Sequence, residues 1–364
     1  MSETALATLY PSAIRPVPAP PPAAASPPLA PPPAPAAAAP TPPAQPDHPA
    51  RLLYFDSRFN AETGDAARGM WLVGNCKNGM PLMRSVFMSL AILSGLVLAN
   101  AARAAPPPPG VQVGGNAAQF QAGLTAYRER NYARALKDWR PLAEHGNAGA
   151  QTVLGLMYGL GQGVPRNYVE AAKWLRVAAR QGDADAQSNL GLLYGHGQGV
   201  PRNYVEAAKW YRLAAAQGNA DAQNNLGVMY ARGHGVPRNY VVAAQWYRLA
   251  AEQGNVDAQN NLGGMYGLGQ GVPRNYVEAA KWWGVAAAHG DASAQNNLGV
   301  LYNHGQGVPR NYVESYKWYS LALAQGVSRA GTMLDDLSTL MTPAQIAEAQ
   351  RLAAAFHPQT TPAH

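Results

Sequence analysis

Cysteine is nearly absent from this sequence. The 364 residues include one, Cys76, which precedes the repeated part of the chain. Disulfides and cysteine-ligated zinc are therefore excluded from the repeats. Cysteine usage does not, however, decide between an oxidising and a reducing compartment.

Charge is also scarce. Charged residues make up 13% of the chain, and the formal net charge is +7. Every repeat mixes acidic and basic residues, and no block of Lys and Arg follows the pattern of a phosphate-binding surface. We therefore expect a partner other than nucleic acid.

Composition divides the chain near Asn116. Before that point Pro and Ala dominate, with runs at 31–33 and 106–109, whereas Leu, Trp and Tyr recur at fixed intervals after it. Only the second part has enough apolar side chains to offset the entropy cost of ordering a backbone. We predict disorder over 1–79 and a Pro-rich linker over 105–115.

Residues 80–104 have the pattern of a secretory signal peptide. Arg84 precedes an uncharged stretch over 85–102, and Ala99-Asn100-Ala101 and Ala102-Arg103-Ala104 offer cleavage sites. Because such a signal is N-terminal, we interpret 1–79 as an over-extended reading frame, with translation beginning at Met80 or Met83. The prediction is a periplasmic or secreted protein.

Two other interpretations of 85–102 stay open. The stretch is a marginal length for a single membrane anchor, since about twenty apolar residues are needed to span a bilayer. As a buried core helix it would have no partner segment nearby. With an anchor the repeats would again lie outside the cytoplasm, because three cationic residues precede it: Arg68, Lys77 and Arg84. Membrane association is expected only in that case.

A 36-residue period organises the rest of the chain. Gly-Val-Pro-Arg-Asn-Tyr-Val recurs five times, and one Gln and one Trp recur at the same spacing. The positions are Gln151, Gln187, Gln223, Gln259 and Gln295, and Trp174, Trp210, Trp246, Trp282 and Trp318. A period of this length is typical of a solenoid, propeller or array.

The second unit predicts two helices. In helix A, Asp183 suits the N-cap, and Ala186, Leu190, Leu193 and Tyr194 follow at helical spacing. Three glycines and a proline then end it: Gly195, Gly197, Gly199 and Pro201.

Helix B of the same unit begins after Asn203, which with Glu206 forms a predicted capping box, and ends at Gly218. Its predicted buried residues are Ala207, Ala208, Tyr211, Ala214 and Ala215.

One such hairpin is apolar on both sides, so each must stack on the next. The predicted fold is all-α: a right-handed α/α superhelix of helix-turn-helix repeats. We expect an N-terminal capping repeat over 116–150, where Trp139 and Leu142 fill the end. Five units follow over 151–326, capping helices over 327–356 and a disordered tail over 357–364. Thr342-Pro343 is a strong start signal for the last helix.

The unit resembles the Sel-one-like repeat family, a relative of the tetratricopeptide repeat. The matching patterns are Ala-x-x-Asn-Leu-Gly-x-x-Tyr, Gly-x-Gly-Val-Pro and Ala-Ala-x-Trp-Tyr-x-x-Ala-Ala-x-Gln-Gly. The resemblance implies a superhelix whose concave face, lined by the A helices, binds proteins or peptides. Some members carry a disulfide in each repeat and are associated with penicillin binding. This chain has neither the cysteines nor a Ser-x-x-Lys, so we expect no enzyme activity and no cofactor.

A strip along the A helices is the candidate binding groove. Some of its residues were chosen because they vary between units, which indicates that packing does not fix them. The others carry side-chain amides that could form hydrogen bonds with a peptide backbone. The candidates are Ser188, Asn224, Asn260 and Asn296, and, near the end of each helix, His196, Arg232, Leu268 and His304. The alternative is that these Asn residues bond neighbouring helices; we expect the next column, Asn189, Asn225, Asn261 and Asn297, to be the structural one.

Three other patterns have simpler interpretations. The Gly-rich loops lack the context of a phosphate site, and His196, His234 and His304 are read as surface residues, so no metal is predicted. One Arg per unit is expected to pack on the following Tyr, with an acidic partner as the alternative: Arg166, Arg202, Arg238, Arg274 and Arg310. A second functional hypothesis is binding of peptidoglycan or another polysaccharide through Tyr211, Tyr247 and Trp283.

Overall fold

The computed structural model describes residues 113–359, which form fourteen α-helices and no strand. The segments predicted to be disordered (1–79) and to be a signal peptide or anchor (80–104) lie outside the described residues. The helices are α1 Val113–Arg128, α2 Tyr132–Glu144, α3 Ala148–Leu160, α4 Tyr168–Arg180, α5 Ala184–His196, α6 Tyr204–Ala216, α7 Ala220–Arg232, α8 Tyr240–Glu252, α9 Val256–Leu268, α10 Tyr276–Ala288, α11 Ala292–His304, α12 Tyr312–Ala324, α13 Ser328–Ser338 and α14 Pro343–Ala354.

Consecutive helices from α1 to α13 pack on one another, and α14 packs on α12, which confirms the predicted stacking of helix pairs into an α/α solenoid. The A helices of the five units are α3, α5, α7, α9 and α11, and the B helices are α4, α6, α8, α10 and α12. The first helix begins at Val113, inside the predicted linker and three residues before Asn116.

Small residues let the two helices of a unit approach closely. The five predicted core positions of α6 are all buried. Gly191 of α5 lies under the ring of Tyr211, and a methyl group there would come within 2.9 Å of that ring. Gly227 and Gly263 lie under Tyr247 and Trp283 in the same way. The Leu-Gly pair of each A helix is therefore a packing requirement.

Helix A is longer than predicted. Gly195 is helical, α5 continues to His196, and the chain leaves the helix at Gly197 with a φ of 71°. A glycine within the last turn of a helix is tolerated because it costs only about 1 kcal/mol relative to alanine. The left-handed residue that ends the helix is therefore the second glycine of the loop.

The capping box at the start of helix B is formed only in half. The Asn203 side chain accepts a hydrogen bond from the Glu206 backbone N–H at 3.1 Å. The Asn203 backbone N–H donates to the Tyr194 carbonyl oxygen at 2.9 Å, so it has no need of the glutamate. Glu206 instead pairs with Lys209 at 2.6 Å.

Glutamines join successive units. In each unit the Gln at the fourth position of helix A donates to a carbonyl oxygen in the last turn of the preceding helix. For Gln187 this acceptor is Ala179, at 3.1 Å. Its own side-chain oxygen accepts from Gln217, at the end of the following B helix, at 2.8 Å. One side chain thus links three consecutive helices, which explains why this Gln recurs every 36 residues.

The ends of the solenoid are closed by different side chains. At the front, Trp139 is fully buried and its indole N–H donates to the Phe120 carbonyl oxygen at 3.1 Å. At the back, α13 and α14 pack on α12. After α14 the chain turns onto the last units: Phe356 packs edge-on against Trp318, and the Gln359 backbone N–H donates to the Ala288 carbonyl oxygen at 2.8 Å.

Candidate functional site

Side chains of the five A helices form columns that share one face, because residues four apart lie on the same side of a helix. We call this the A-helix face. The fifth-position column is Thr152, Ser188, Asn224, Asn260 and Asn296; the ninth is Leu156, Leu192, Val228, Gly264 and Val300; the last is Leu160, His196, Arg232, Leu268 and His304.

The fifth-position candidates are largely inaccessible. Ser188, Asn224, Asn260 and Asn296 expose 7%, 8%, 6% and 0% of their surface. The Asn261 amide of the next unit donates to the Asn224 side-chain oxygen at 3.0 Å. These side chains therefore lie in the seam between successive A helices. For Asn224, the hydrogen bond confirms the alternative interpretation, in which the Asn residue bonds a neighbouring helix.

The column at the sixth helix position is more exposed to solvent than the fifth-position column. Asn189, Asn225 and Asn261 are half-buried, and only Asn297 is buried. The Asn189 amide donates to the Asp185 carbonyl oxygen one turn earlier. Both columns contribute to the seam, since the amide that bonds Asn224 belongs to Asn261 of this second column.

The last-position candidates are the accessible ones. His196 and His304 are exposed, and Arg232 and Leu268 are half-buried. They occupy the carboxyl ends of successive A helices, where two histidines, an arginine and a leucine alternate. This column is where the units differ most in chemistry.

Sequence reasoning missed a row of carboxylates at the opposite ends of the A helices. Asp185, Asp221 and Asp257 are each the second residue of their helix. The Asn219 amide donates to the Asp185 carboxylate at 2.9 Å, and the Asn255 amide donates to that of Asp221 at 2.8 Å. The 36-residue spacing of these aspartates was a signal that could have identified the row.

Burial and mutual repulsion perturb these carboxylates. Burial, followed by the charges of Asp183 and Asp221, raises the pKa of Asp185 to about 7. Burial and the charge of Asp257 raise the pKa of Asp221 to about 6. Both carboxyl groups therefore favour the neutral form more than a free aspartate does.

The cavity between α3 and α5 is too small for a substrate. It measures about 30 Å³ and is lined by residues such as Leu156, Leu160 and Leu192. Small-molecule sites typically occupy roughly 300–1,000 Å³. This cavity is a packing gap between two units.

The arginine ladder packs on tyrosine, as predicted. In each unit the guanidinium lies over the ring of the tyrosine two residues later, 5.5 Å from the ring centre for Arg202 and Tyr204. The other four units give 5.6 or 5.7 Å. Such contacts hold the loop against the start of helix B.

The histidines are not gathered into a metal site. His234 stacks on Tyr204 with ring centres 5.0 Å apart, and between residues 113 and 359 no three His, Cys, Asp or Glu side chains are grouped as metal ligands. Among the helices from Val113 onward, none combines the length and the apolar character that crossing a bilayer requires.

The fold and this face define a class: an α/α solenoid of 36-residue helix pairs, a scaffold architecture. The sequence model of the Sel1 repeat matches five consecutive segments, 148–183, 184–219, 220–255, 256–291 and 292–327. The chain belongs to the Sel1 repeat family, whose solenoids are generally non-catalytic and commonly mediate protein–protein interaction.

Two solved structures are similar over most of the folded part. One is a Sel1 repeat protein from Oxalobacter formigenes, 32% identical, with 67% of this chain and 98% of that chain covered and a TM-score of 0.57. The other is c5321, a protective antigen present in uropathogenic Escherichia coli strains, 39% identical with a TM-score of 0.58. That alignment covers 66% of this chain and 53% of the antigen, so the chain spans about half of the antigen's length. No curated protein matches the chain.

Proposed function

We propose that this protein is an exported, non-enzymatic scaffold that binds a protein or an extended peptide along its A-helix face, the concave side in solenoids of this kind. The observation that carries the proposal is the alignment of side-chain columns across five units. A continuous face of this sort suits an extended partner, because each unit contributes the same positions at a regular interval.

The accessible columns are the contact residues in this proposal. His196, Arg232, Leu268 and His304 vary in charge and polarity from unit to unit, and variation at equivalent positions gives a repeat surface its specificity. The buried column of Ser188, Asn224, Asn260 and Asn296 would set the spacing of the A helices and meet a partner only along the seams.

The polysaccharide alternative loses its main support. It depended on exposed rings at Tyr211, Tyr247 and Trp283, and these are 5%, 1% and 0% exposed. A ring that packs on a glycine of its own unit has no free face to stack on a sugar. Binding of a protein or peptide is the function that the geometry favours.

Site-specific photo-crosslinking tests the face. A photoreactive residue at His196 or His304 is expected to crosslink to a partner in envelope extract. The matched control places it at Val205 or Val277, which are exposed on B helices, and should give no specific product. Crosslinks from the B-helix positions alone would place the binding surface on the other layer.

Export has its own test. The signal-peptide pattern of residues 80–104 supports it, and the similarity to a protective antigen fits a location outside the cytoplasm. N-terminal sequencing of the protein from the envelope fraction should find a mature end at Ala102 or Ala105. A mature chain that retains 85–102 would instead support a membrane anchor.

A further inference from the structure

The segment that follows α14 lies against two successive B helices. Phe356 packs edge-on against Trp318 of α12, with ring centres 5.6 Å apart. The Gln359 backbone N–H donates at 2.8 Å to the carbonyl oxygen of Ala288, the last residue of α10. Residues 356–359 therefore span the junction between the fourth and fifth units.

A proline fills the space between these two contacts. A methyl group added at Gly290, the left-handed residue that follows α10, would lie 3.3 Å from Pro358 Cβ. Because proline restricts the backbone before binding, a segment that contains it loses less entropy when it docks. The last carbonyl oxygens of a helix have no partner within the helix, so this one is available to a backbone N–H. The junction thus accommodates an aromatic residue, a proline two positions later and the N–H that follows the proline.

The same three elements recur at the four preceding junctions, 36 residues apart. Each junction has a tryptophan in one B helix, the last residue of the helix before it, and the glycine two positions after that residue. We call these surfaces, with the one that residues 356–359 cover, the B-helix grooves. The four others consist of Trp282, Glu252 and Gly254; Trp246, Ala216 and Gly218; Trp210, Arg180 and Gly182; and Trp174, Glu144 and Gly146.

The residue before each glycine also has the same conformation in the covered groove and in two of the others. The His289 ring contacts the carbonyl oxygen four residues earlier in α10. The side chains of Gln217 and Gln253 donate to the equivalent oxygens of α6 and α8, at 3.4 and 3.3 Å. The histidine therefore does not make the last groove a different kind of surface.

The four preceding grooves are accessible where the last one is covered. Their tryptophans are half-buried, whereas Trp318, which packs on Phe356, is 8% exposed. Within residues 113–359, a methyl group at Gly146, Gly182 or Gly218 would meet no atom within 4 Å. The surface that binds residues 356–359 is thus presented to solvent at other junctions.

We propose that the B-helix grooves bind protein segments of the form aromatic-x-Pro-x, and that residues 356–359 occupy the last groove as an internal ligand. The aromatic ring packs on the groove tryptophan and the proline on the glycine, and the next backbone N–H donates to the last carbonyl oxygen of the preceding helix. This surface lies on the B helices, so the inference goes beyond the proposed function of the A-helix face. A partner with several such motifs can engage several units at once.

A peptide titration of the full chain tests the proposal, because NMR resolves the indole N–H signal of each tryptophan. The probe is the amidated peptide Ala-Ala-Phe-His-Pro-Gln, the sequence of residues 354–359. Control peptides replace its Phe or its Pro with Ala and should need at least about tenfold higher concentrations for the same shifts. The fully buried Trp139 and Trp283 should not respond. The signals expected to shift are those of Trp174, Trp210, Trp246 and Trp282.

Two variants assign the response to the grooves. Phe356→Ala should uncover Trp318, whose signal then also responds to the peptide. Gly218→Asn adds a side chain where the proline would lie, in a residue type that tolerates a left-handed backbone. It should abolish the response of Trp246 and leave that of Trp210 unchanged, since the groove of Trp210 contains a different glycine.

Three results would overturn the proposal. The four signals would stay fixed at millimolar peptide, the alanine peptides would act equally well, or Gly218→Asn would leave the response of Trp246 intact. The crosslinking controls at Val205 and Val277 lie five residues before a groove tryptophan, which turns them about 140° away from it on the helix. The A-helix face and the B-helix grooves are therefore accepted or rejected separately.

Discussion

At the scale of single residues, Gln259 differs from its equivalents in one respect. The side-chain oxygens of Gln151, Gln187, Gln223 and Gln295 each accept from a glutamine at the end of the following B helix, at 2.6–2.8 Å. In the fourth unit that glutamine is replaced by His289, whose ring nitrogen Nδ1 contacts the Val285 carbonyl oxygen instead. The buried oxygen of Gln259 therefore has no donor.

We expect His289→Gln to stabilise the protein. The new amide would donate to Gln259 and complete the link among three helices, with a gain of about 0.5–1.5 kcal/mol. Urea denaturation measures the change in the free energy of unfolding. The reverse change, Gln253→His in the third unit, should lose a similar amount. A neutral or destabilising His289→Gln would show that the site has adapted to histidine.

The aspartate row predicts a pH dependence of stability. A carboxyl whose pKa is raised by folding binds more protons in the folded state between its unfolded pKa, near 4, and its folded pKa. Its contribution is therefore fully present below about pH 4 and is lost as the pH rises through about 6 for Asp221 and about 7 for Asp185.

Denaturation between pH 4 and pH 8 measures this effect. The free energy of unfolding of D185N/D221N should change less steeply with pH than that of the parent over this range. Asparagine can accept the same hydrogen bonds from Asn219 and Asn255 without titrating. Glu252→Gln, an exposed change at the end of α8, is the control and should leave the slope unaltered. An unchanged slope in D185N/D221N would show that these carboxylates are ionised equally in both states.

At the scale of helices and loops, two kinds of glycine have opposite roles. Gly235 lies in the loop after α7 with a φ of 67°, and a methyl group there would come within 2.2 Å of the Tyr204 carbonyl oxygen at the start of the preceding B helix. Gly195, inside α5, has ordinary backbone angles, and a methyl group there would only reach Ala207 at 4.0 Å. The first permits units to stack, whereas the second is dispensable.

Alanine substitutions should separate the two roles. Gly235→Ala should destabilise by at least about 2 kcal/mol, since it combines a left-handed backbone with a clash against main chain. Gly195→Ala should stabilise by about 0.5–1 kcal/mol through helix propensity. Gly218→Ala, with a φ of 89° and open space around it, isolates the backbone strain. Thermal unfolding ranks the three, and a mild Gly235→Ala would mean that the loop can shift.

At the scale of the whole molecule, each unit packs only on its neighbours, so stability should be close to a sum over units and their interfaces. The repeated hydrogen bonds are the same at each junction: Gln223 donates to Ala215, and Gln259 donates to Ala251. If one whole unit is removed, the next unit can therefore form the same junction with the unit before it.

Deletion of 220–255 tests this modularity. It removes α7 and α8 and joins Asn219 to Val256, so that Gln259 can donate to Ala215. We expect a folded, shorter solenoid with a lower free energy of unfolding, measured by circular dichroism and urea titration. Deletion of 220–237 removes α7 alone and places two B helices in succession; this control should lose helix content. Equal behaviour of the two deletions would contradict a unit-by-unit solenoid.

Most of the fold could be predicted from the sequence because its signals are local and repeated. Asn203, Gly218 and Thr342 mark helix ends through backbone geometry, and the buried alanines of α6 follow from helical spacing. The site was less predictable. Asn189 is more exposed than Ser188 because of the side of the A helix that packs on its neighbour. Helical spacing alone does not determine which side that is.

The sequence by itself determined the helices, their pairing and the need to stack, since propensity, capping and a 36-residue period all act within one or two units. Only the tertiary structure decided the properties that depend on neighbouring units: the three-helix links of the glutamines, the exposure of the asparagine columns, and the hydrogen bonds from Asn219 and Asn255 to Asp185 and Asp221. The hydrogen bonds from Gln217 to Gln187 and from Asn219 to Asp185 join residues 30 and 34 positions apart. Their energies depend on burial and distance, which exist only once the units are stacked.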